Sequence, residues 1–541
     1  MAEHLRWRWL GLAGSIALAV GGLASPLCGY FGLVLLSASW WRLRSVAAQG
    51  TRALVWTLVT WSVPLALGPP LFSRDVYSYL AQGAIAIAGL DVYTVGPATL
   101  GGPLAVPIPA LWQHTPAPYG PMFVWLATAV SQVTGADTVA GVFAMRTVAL
   151  LSLALLTSCL PQLAQSSGTD PGLAVWLGAL NPLVLLHFVA GAHNDALMAA
   201  LLTAGLTLAA LNRPILATVL VTLAGLVKAP AFLGLLAIVY LNPAAKSRAS
   251  THRHAPLLCL HRRTDAVRPR LCKQSKAIAL PLSRQQDNLP HAEAEPLRET
   301  GPHPESAPQR SAMPLRKAER QREAVPRSEA VSRREAAPQR KAVPLRKAER
   351  QQEAVWWRGV WRVPEMVAAV AIVAATMVVT AAVVTVVTGV GFGWVSALDT
   401  PISPSNWSLS GLLGRLTGDV RWWRWMCLAA AGGIAIVVWR KMRWDRPVEA
   451  LGLTLLALAV LGPALRTWYP LWGLILLATA IPHRKWPAVV SGVLALAVFP
   501  HGYPPDAGEV GLAVVGGAMA LSAVWMTTRI STMKAMTAQA K

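Results

Sequence analysis

MVAAVAIVAATMVVTAAVVTVVTGV, residues 366–390, contains no charged side chain. As a helix rising 1.5 Å per residue it would be roughly 37 Å long, more than the ~30 Å hydrocarbon core of a bilayer. A soluble protein has no use for such a segment, and the rest of the chain repeats the pattern. Apolar runs fall near 9–24, 27–41, 53–71, 143–161, 171–189, 196–211, 214–227, 229–242, 364–388, 424–440, 448–465, 468–482, 486–500 and 509–527. Over 541 residues, 54% are hydrophobic and 13% charged, and the mean hydropathy is +0.46. Soluble domains carry about 25% charged residues. The expectation is an all-α, polytopic transmembrane protein of roughly 13–14 spans, with the short runs at 214–242 forming half-helices or a broken pair.

The net charge of +23 does not point to nucleic acid, because of where it sits. Residues 246–353 hold 24 Lys/Arg against 12 Asp/Glu, about half the excess. Arg42, Arg44, Arg52, Arg440, Lys441, Arg443 and Arg446 lie beside the ends of apolar runs, where topology signals lie. The five cysteines, Cys28, Cys159, Cys259, Cys272 and Cys427, form no CxxC pair, and no disulfide framework follows. His252, His254, Cys259, His261 and Cys272 match no zinc-ligand spacing, and their proximity reads as chance. Arg6-Trp7-Arg8-Trp9 before the first apolar run mimics a signal peptide, but a second run follows almost at once. A retained first helix is expected.

Pro121–Thr134 is apolar but short. If it lies at the interface without crossing, the basic clusters at 42–52, 440–446 and 483–485 and the Arg529/Lys534/Lys541 tail share the cytoplasmic side, as positive charge in short loops prefers. That choice turns four segments outward: the loop Leu71–Thr134, His193-Asn194-Asp195, residues 391–423, and Arg466-Thr467-Trp468-Tyr469. Lys228 turns with them. The chain then reads as an N-terminal membrane module (1–242, with its loop 71–134), an insertion (243–357) and a C-terminal membrane module (358–541). The insertion repeats itself, APQRSAMPLRKAERQREAV at 307–325 returning as APQRKAVPLRKAERQQEAV at 337–355. Rich in Pro, Arg, Glu and Gln, it is expected to be disordered and cytoplasmic.

Polar groups next to lipid are costly, so those that persist are functional candidates. Asp75 follows directly on an apolar span, within Ser73-Arg74-Asp75-Val76-Tyr77-Ser78-Tyr79. His193-Asn194-Asp195 lies between two apolar runs, and Lys228 interrupts a third. A structural reading stands beside each: an acid paired with Arg74, a polar turn, a lysine reaching the interface. Arg466 stands beside Trp468 and Tyr469, and an arginine can bind phosphate bidentately. No GxxxxGK[ST] loop or Rossmann glycine fingerprint occurs, and the chain has no large soluble nucleotide-sugar domain. A donor must therefore arrive through the membrane or from outside.

Ser73–Tyr79, Gly89-Leu90-Asp91-Val92-Tyr93, Thr115-Pro116-Ala117-Pro118-Tyr119-Gly120-Pro121, Asn181-Pro182 leading to Gly191-Ala192-His193-Asn194-Asp195, Val227-Lys228-Ala229-Pro230 and Arg466-Thr467-Trp468-Tyr469 together carry a resemblance. In order and placement they resemble the actinobacterial polyprenol-phosphomannose-dependent α-(1→6)-mannopyranosyltransferases, which are GT-C glycosyltransferases. The 243–357 insertion departs from that pattern. The resemblance implies a GT-C fold with an outer-face cap, a polyprenyl phosphomannose donor, a lipid-anchored mannan acceptor of the lipomannan type, membrane lipids as surroundings, and no cofactor or metal. It implies Asp75 as general base for an inverting transfer, with Lys228 and Arg466 on the leaving phosphate. Arg74, Tyr77, Asp91, His114, Tyr119, His193, Asn194, Asp195 and Tyr469 would contact substrate. Two alternatives stay open: a GT-C enzyme for another sugar such as arabinofuranose, and a transporter or flippase for lipid-linked sugars.

Overall fold

In the computed structural model, the described residues are 2–48, 50–135, 137–241, 363–399, 408–499 and 507–539. The expected insertion at 243–357, its repeat and the His/Cys cluster at 252–272 lie outside the described residues. Among the described residues there is no strand, and each of the fourteen expected apolar runs falls on helix. The chain is an all-α membrane protein.

Four helices are long and apolar enough to cross a bilayer alone: Thr138–Ser166, Glu365–Thr388, Val420–Met442 and Ala507–Arg529. A fifth span forms if Pro171–Gly178 and Pro182–Ala190, bent by 46°, are taken together. The bend has a local cause. Pro182 cannot donate to the preceding turn. Asn181 repairs the break: its Oδ1 accepts from Leu183 N at 3.0 Å, and its Nδ2 donates to Leu177 O and to Ser491 Oγ at 2.9 Å. The second half winds as a π-helix over Leu185–Ala190. The run at 214–242 is also broken, into Pro214–Val227, a 3-10 turn Ala229–Leu233, and Gly234–Leu241.

Helices from before and after residues 243–357 share one core. Trp40 and Trp176 stack at 4.7 Å and donate to each other's carbonyls at 2.9 and 2.7 Å. Leu471, Leu474, Ala488 and Ala513 pack into the same cluster. Small residues bring backbones together, as they do between helices in lipid. A Cβ on Gly14 would lie 2.8 Å from Gly32 O. At one end of the bundle Arg44 donates to His483 O at 3.1 Å, which joins two of the basic clusters that the charge rule groups together.

The segment expected as an outer loop folds into two helices, Asp75–Ile87 and Pro121–Val133, with single turns at Gly102–Ala105 and Ala110–Gln113 between them. Thirteen residues make a helix of roughly 20 Å, too short to span a bilayer on its own. The two helices lie flush because Gly83 has no side chain: a Cβ there would stand 2.3 Å from Ala127 O. Ser131 Oγ donates to Leu80 O at 3.0 Å across the same seam.

Candidate active site

Asp75 is the first residue of helix Asp75–Ile87. The chain reaches it through a tight strap: Phe72 holds a φ of 68°, and Asp75 N donates to Ser73 Oγ at 3.1 Å. The carboxylate is 28% exposed, and its Oδ2 lies 3.5 Å from His193 Nδ1. Burial raises the Asp75 carboxyl above the ordinary carboxylate range, against the opposing pull of Arg466, Lys228 and the Ser73 hydroxyl, with Asp195 adding to the rise. A carboxylate held this way is a stronger base than one in water.

His193 is fully buried. Its ring lies on Trp468 with centroids 4.1 Å apart, and His187 stands edge-on at 5.5 Å. Burial pushes His193 down to about 3, so the imidazole is neutral at ordinary pH and one ring nitrogen keeps its proton. Ala192, immediately before it, adopts a left-handed φ of 52°. Asn194 Oδ1 accepts from Tyr79 OH at 3.4 Å. Asp195 opens helix Asp195–Ala210 and is wholly buried. It accepts from Lys228 Nζ at 3.0 Å (Oδ1) and 2.8 Å (Oδ2), and from Trp472 Nε1 at 2.6 Å.

Lys228 occupies the break between helix Pro214–Val227 and the turn after it. Desolvation alone would depress its ammonium, but Asp195 and Tyr469 outweigh that and hold it above the ordinary lysine value. The ammonium also faces the rings of Tyr469 at 4.8 Å, Trp472 at 5.6 Å and Tyr119 at 5.7 Å. Arg466 stands over Trp112 at 5.3 Å. The anion beside Lys228 is thus Asp195, whereas among the described residues Arg466 makes no ion pair with a carboxylate.

These groups meet at a cavity of about 1440 Å³. Of the residues singled out from sequence, Asp75, Tyr119, Lys228, Arg466 and Tyr469 line it. His193, Asn194 and Asp195 form a buried layer outside that lining and touch Asp75, Tyr79 and Lys228. The others stand elsewhere. Arg74 is exposed and reaches Pro107 O at 3.5 Å, Tyr77 packs partly buried in the core, Asp91 caps its own turn at Tyr93 N, and His114 is exposed. Sequence reading named Ser78 only as part of the Ser73–Tyr79 motif and passed over Gln82, Arg421, Arg424 and Trp425, all of which also line the cavity. Arg421 and Arg424 had a signal: cations at i and i+3 before an apolar run, on the side that the charge rule leaves poor in Lys and Arg. Past these polar groups the wall turns apolar, through Leu235, Leu236, Met377, Leu428 and Leu458.

Two family models match the chain: an "Alpha-(1->6)-mannopyranosyltransferase, N-terminal domain" over residues 12–244 and an "MptB C-terminal domain" over residues 410–529. A probable α-(1→6)-mannopyranosyltransferase of Mycolicibacterium smegmatis is 40% identical over 234 residues, 37% of this chain and 42% of that protein. An α-(1→6)-mannopyranosyltransferase of Mycobacterium tuberculosis is 38% identical over 238 residues, 38% of this chain and 40% of the relative. α-(1→6)-Mannopyranosyltransferase A of the same organism is 38% identical over 243 residues, 44% and 46% of the two chains. The matched stretch thus spans less than half the length of each of these relatives. No solved structure matches the chain.

Proposed function

We propose that this chain, which belongs to the α-(1→6)-mannopyranosyltransferase family, moves mannose from polyprenyl phosphomannose to the 6-hydroxyl of a lipid-anchored mannan acceptor, with inversion at the anomeric carbon. The observation that carries the reading is one cavity that has a basic carboxylate, Asp75, and the cations Lys228 and Arg466 on its walls, and that continues into an apolar wall. A carboxylate suits the acceptor hydroxyl, cations suit a phosphate leaving group, and an apolar wall suits an isoprenoid chain.

In the proposed step, Asp75 takes the proton of the acceptor 6-hydroxyl as that oxygen forms its bond to mannose C1. The C1–O bond to phosphate breaks on the opposite face, and the electron pair leaves with polyprenyl phosphate. Arg466, and beyond it Arg421 and Arg424, stabilise the phosphate charge. Lys228 contributes less than an unpaired lysine would, because Asp195 already holds it in two contacts. His193 is buried behind Asp75, with Nδ1 3.5 Å from Oδ2, and so backs the carboxylate instead of meeting the sugar. The cavity would open on the outer face of the plasma membrane, which the shared end of the 42–52 and 483–485 clusters supports.

The test is transfer from polyprenyl phosphomannose to a short α-(1→6)-mannoside by purified protein, with Asp75→Asn beside wild type. General-base loss costs about 10²- to 10⁴-fold in turnover. Wild-type turnover by Asp75→Asn would remove Asp75 from the mechanism. Donor translocation without transfer by wild type would favour a transporter.

A further inference from the structure

Arg146 is the ninth residue of the 29-residue membrane helix Thr138–Ser166 and is 2% exposed. Its hydrogen bonds go to backbone carbonyls and not to a carboxylate. Its Nη1 donates to Ala66 O at 2.9 Å and to Gly68 O, and its Nη2 donates to Ala190 O at 3.1 Å. These carbonyls end two helices, Thr51–Leu67 and the π-helix Leu185–Ala190. Helix C-termini expose carbonyls with no partner in the helix and favour a cation. That accounts for how an arginine persists there, and leaves open why the fold keeps one.

The chain downstream of each end supplies a reason. From Gly68 the strap Pro69–Arg74 leads to Asp75, and from Ala190 two residues lead to His193. Both connections hold a non-glycine residue in the left-handed region, Phe72 at φ 68° and Ala192 at φ 52°. Such strain persists only where the surroundings over-determine it. The guanidinium fixes the starting points of both strained turns in one planar group.

We propose that Arg146 is a positioning residue: by tying the two helix ends together it sets the approach of His193 to Asp75. The role rests on Asp75 being the base proposed above, and neither the sequence motifs nor the cavity lining include Arg146. It touches no substrate. Lysine, with a compact ammonium, can reach one of the two ends but lacks the planar fork that spans both.

Two readouts test it in purified full-length protein, with Arg146→Lys as the variant most able to fold, Arg146→Gln as the stronger one, and Trp40→Phe as a buried destabilising control, since Trp40 stacks on Trp176 and does not line the cavity. The first is the carboxyl C=O infrared band that Asp75→Asn removes, titrated with pH, which needs no activity. Asp75 is faced by Ser73, His193, Lys228, Asp195 and Arg466, and by the Tyr79 and Tyr119 hydroxyls. Loosening the strap admits water, so the midpoint falls in Arg146→Gln, falls less in Arg146→Lys, and stays in Trp40→Phe. The second is kcat against KM for polyprenyl phosphomannose. Displacing a reacting group by about 1 Å costs about a hundredfold, so kcat should fall about ten- to a hundredfold at nearly constant KM. An Asp75 midpoint unmoved in Arg146→Gln and Arg146→Lys, with kcat per folded molecule at the wild-type value, would overturn the proposal. Absence of transfer in wild type with the midpoint shift intact would instead overturn the proposed activity.

Discussion

Replacing Asp195 by Asn removes the charge on which Lys228 rests and keeps the shape. Asp195 is fully buried, Lys228 is 13% exposed, and the carboxylate accepts from Lys228 at 2.8 and 3.0 Å and from Trp472 at 2.6 Å. Removing one partner of a buried ion pair costs about 3–5 kcal/mol, because the other charge is left uncompensated in low dielectric. The amide oxygen can still accept one bond, and Lys228 keeps some access to the cavity. The loss should therefore fall at the low end, about 3 kcal/mol. Lys228→Met should cost at least as much, since Asp195 has no exposure to fall back on. In the double variant neither charge remains, and the two losses should not add. Denaturant unfolding in detergent, followed by tryptophan fluorescence, gives all four corners of this cycle. Losses that sum to within about 0.5 kcal/mol would refute the coupling, because additivity of that quality marks independent sites. The same variant carries a signed pH prediction. Asp195 is among the groups that raise the Asp75 carboxyl. Without it Asp75 ionises at lower pH, so the acid limb of kcat/KM moves to lower pH in Asp195→Asn. A limb that moves upward would reverse the electrostatic assignment.

Wild-type transfer should fall away as pH drops through an Asp75 midpoint above the ordinary carboxylate value, measured as the acid limb of kcat/KM. The same shift has a stability consequence. A carboxyl raised in the folded state contributes stability in full below its unfolded value, and that contribution is lost as pH rises through the folded value. Asp75→Asn should therefore unfold at higher temperature than wild type at pH 7, with the difference shrinking at pH 4, while it loses transfer. Gly83→Ala should destabilise by about 1–3 kcal/mol and depress turnover, since its methyl group would meet Ala127 O and Ser131 Oγ at 2.3 and 2.5 Å and push helix Asp75–Ile87 off its partner. Thermal unfolding together with kcat checks both effects, and unchanged values would show that the two helices do not pack this closely.

The membrane helices were legible because lipid imposes one rule on every residue that faces it. The run at 366–390 can be read without knowing its neighbours, and all fourteen apolar runs fall on helix. One interruption was legible for the same reason: the runs at 214–242 read as half-helices or a broken pair, and the helix breaks at Lys228-Ala229-Pro230, whereas the break at Asn181-Pro182 falls inside a run, 171–189, that reads as continuous. What the sequence could not supply is the partner of each polar group. Lys228 and Asp195 are 33 residues apart, and Trp472, which shares Asp195, is a further 244 along the chain. Asp91 and His193 had the same standing as polar residues of the outer segments. Only the fold separates an exposed turn cap from an imidazole 3.5 Å from Asp75.

Arg146 marks where reading stopped, for a physical reason. Its partners are backbone carbonyls, and a carbonyl has no signature in the sequence because every residue carries one. The topology rule nonetheless contains the information in negative form. It accounts for Arg42, Arg44, Arg52 and the 440–446 cluster as cytoplasmic charges. On the proposed topology it does not account for Arg74, Arg146, Lys228, Arg415, Arg421, Arg424 or Arg466, of which Arg74 and Arg415 are exposed and stand outside the cavity lining. Lys228, Arg421, Arg424 and Arg466 line the cavity, and Arg146 ties the two helix ends that lead to Asp75 and His193. In a protein this basic, the informative cations are the buried or cavity-lining ones that topology leaves unexplained. Each must be stabilised by something inside the fold or by something the fold binds. Asp195 answers for Lys228 and the three carbonyls for Arg146. Among the described residues Arg466 stands over the face of Trp112 and pulls on Asp75, and a guanidinium edge so placed suits the phosphate of the proposed donor.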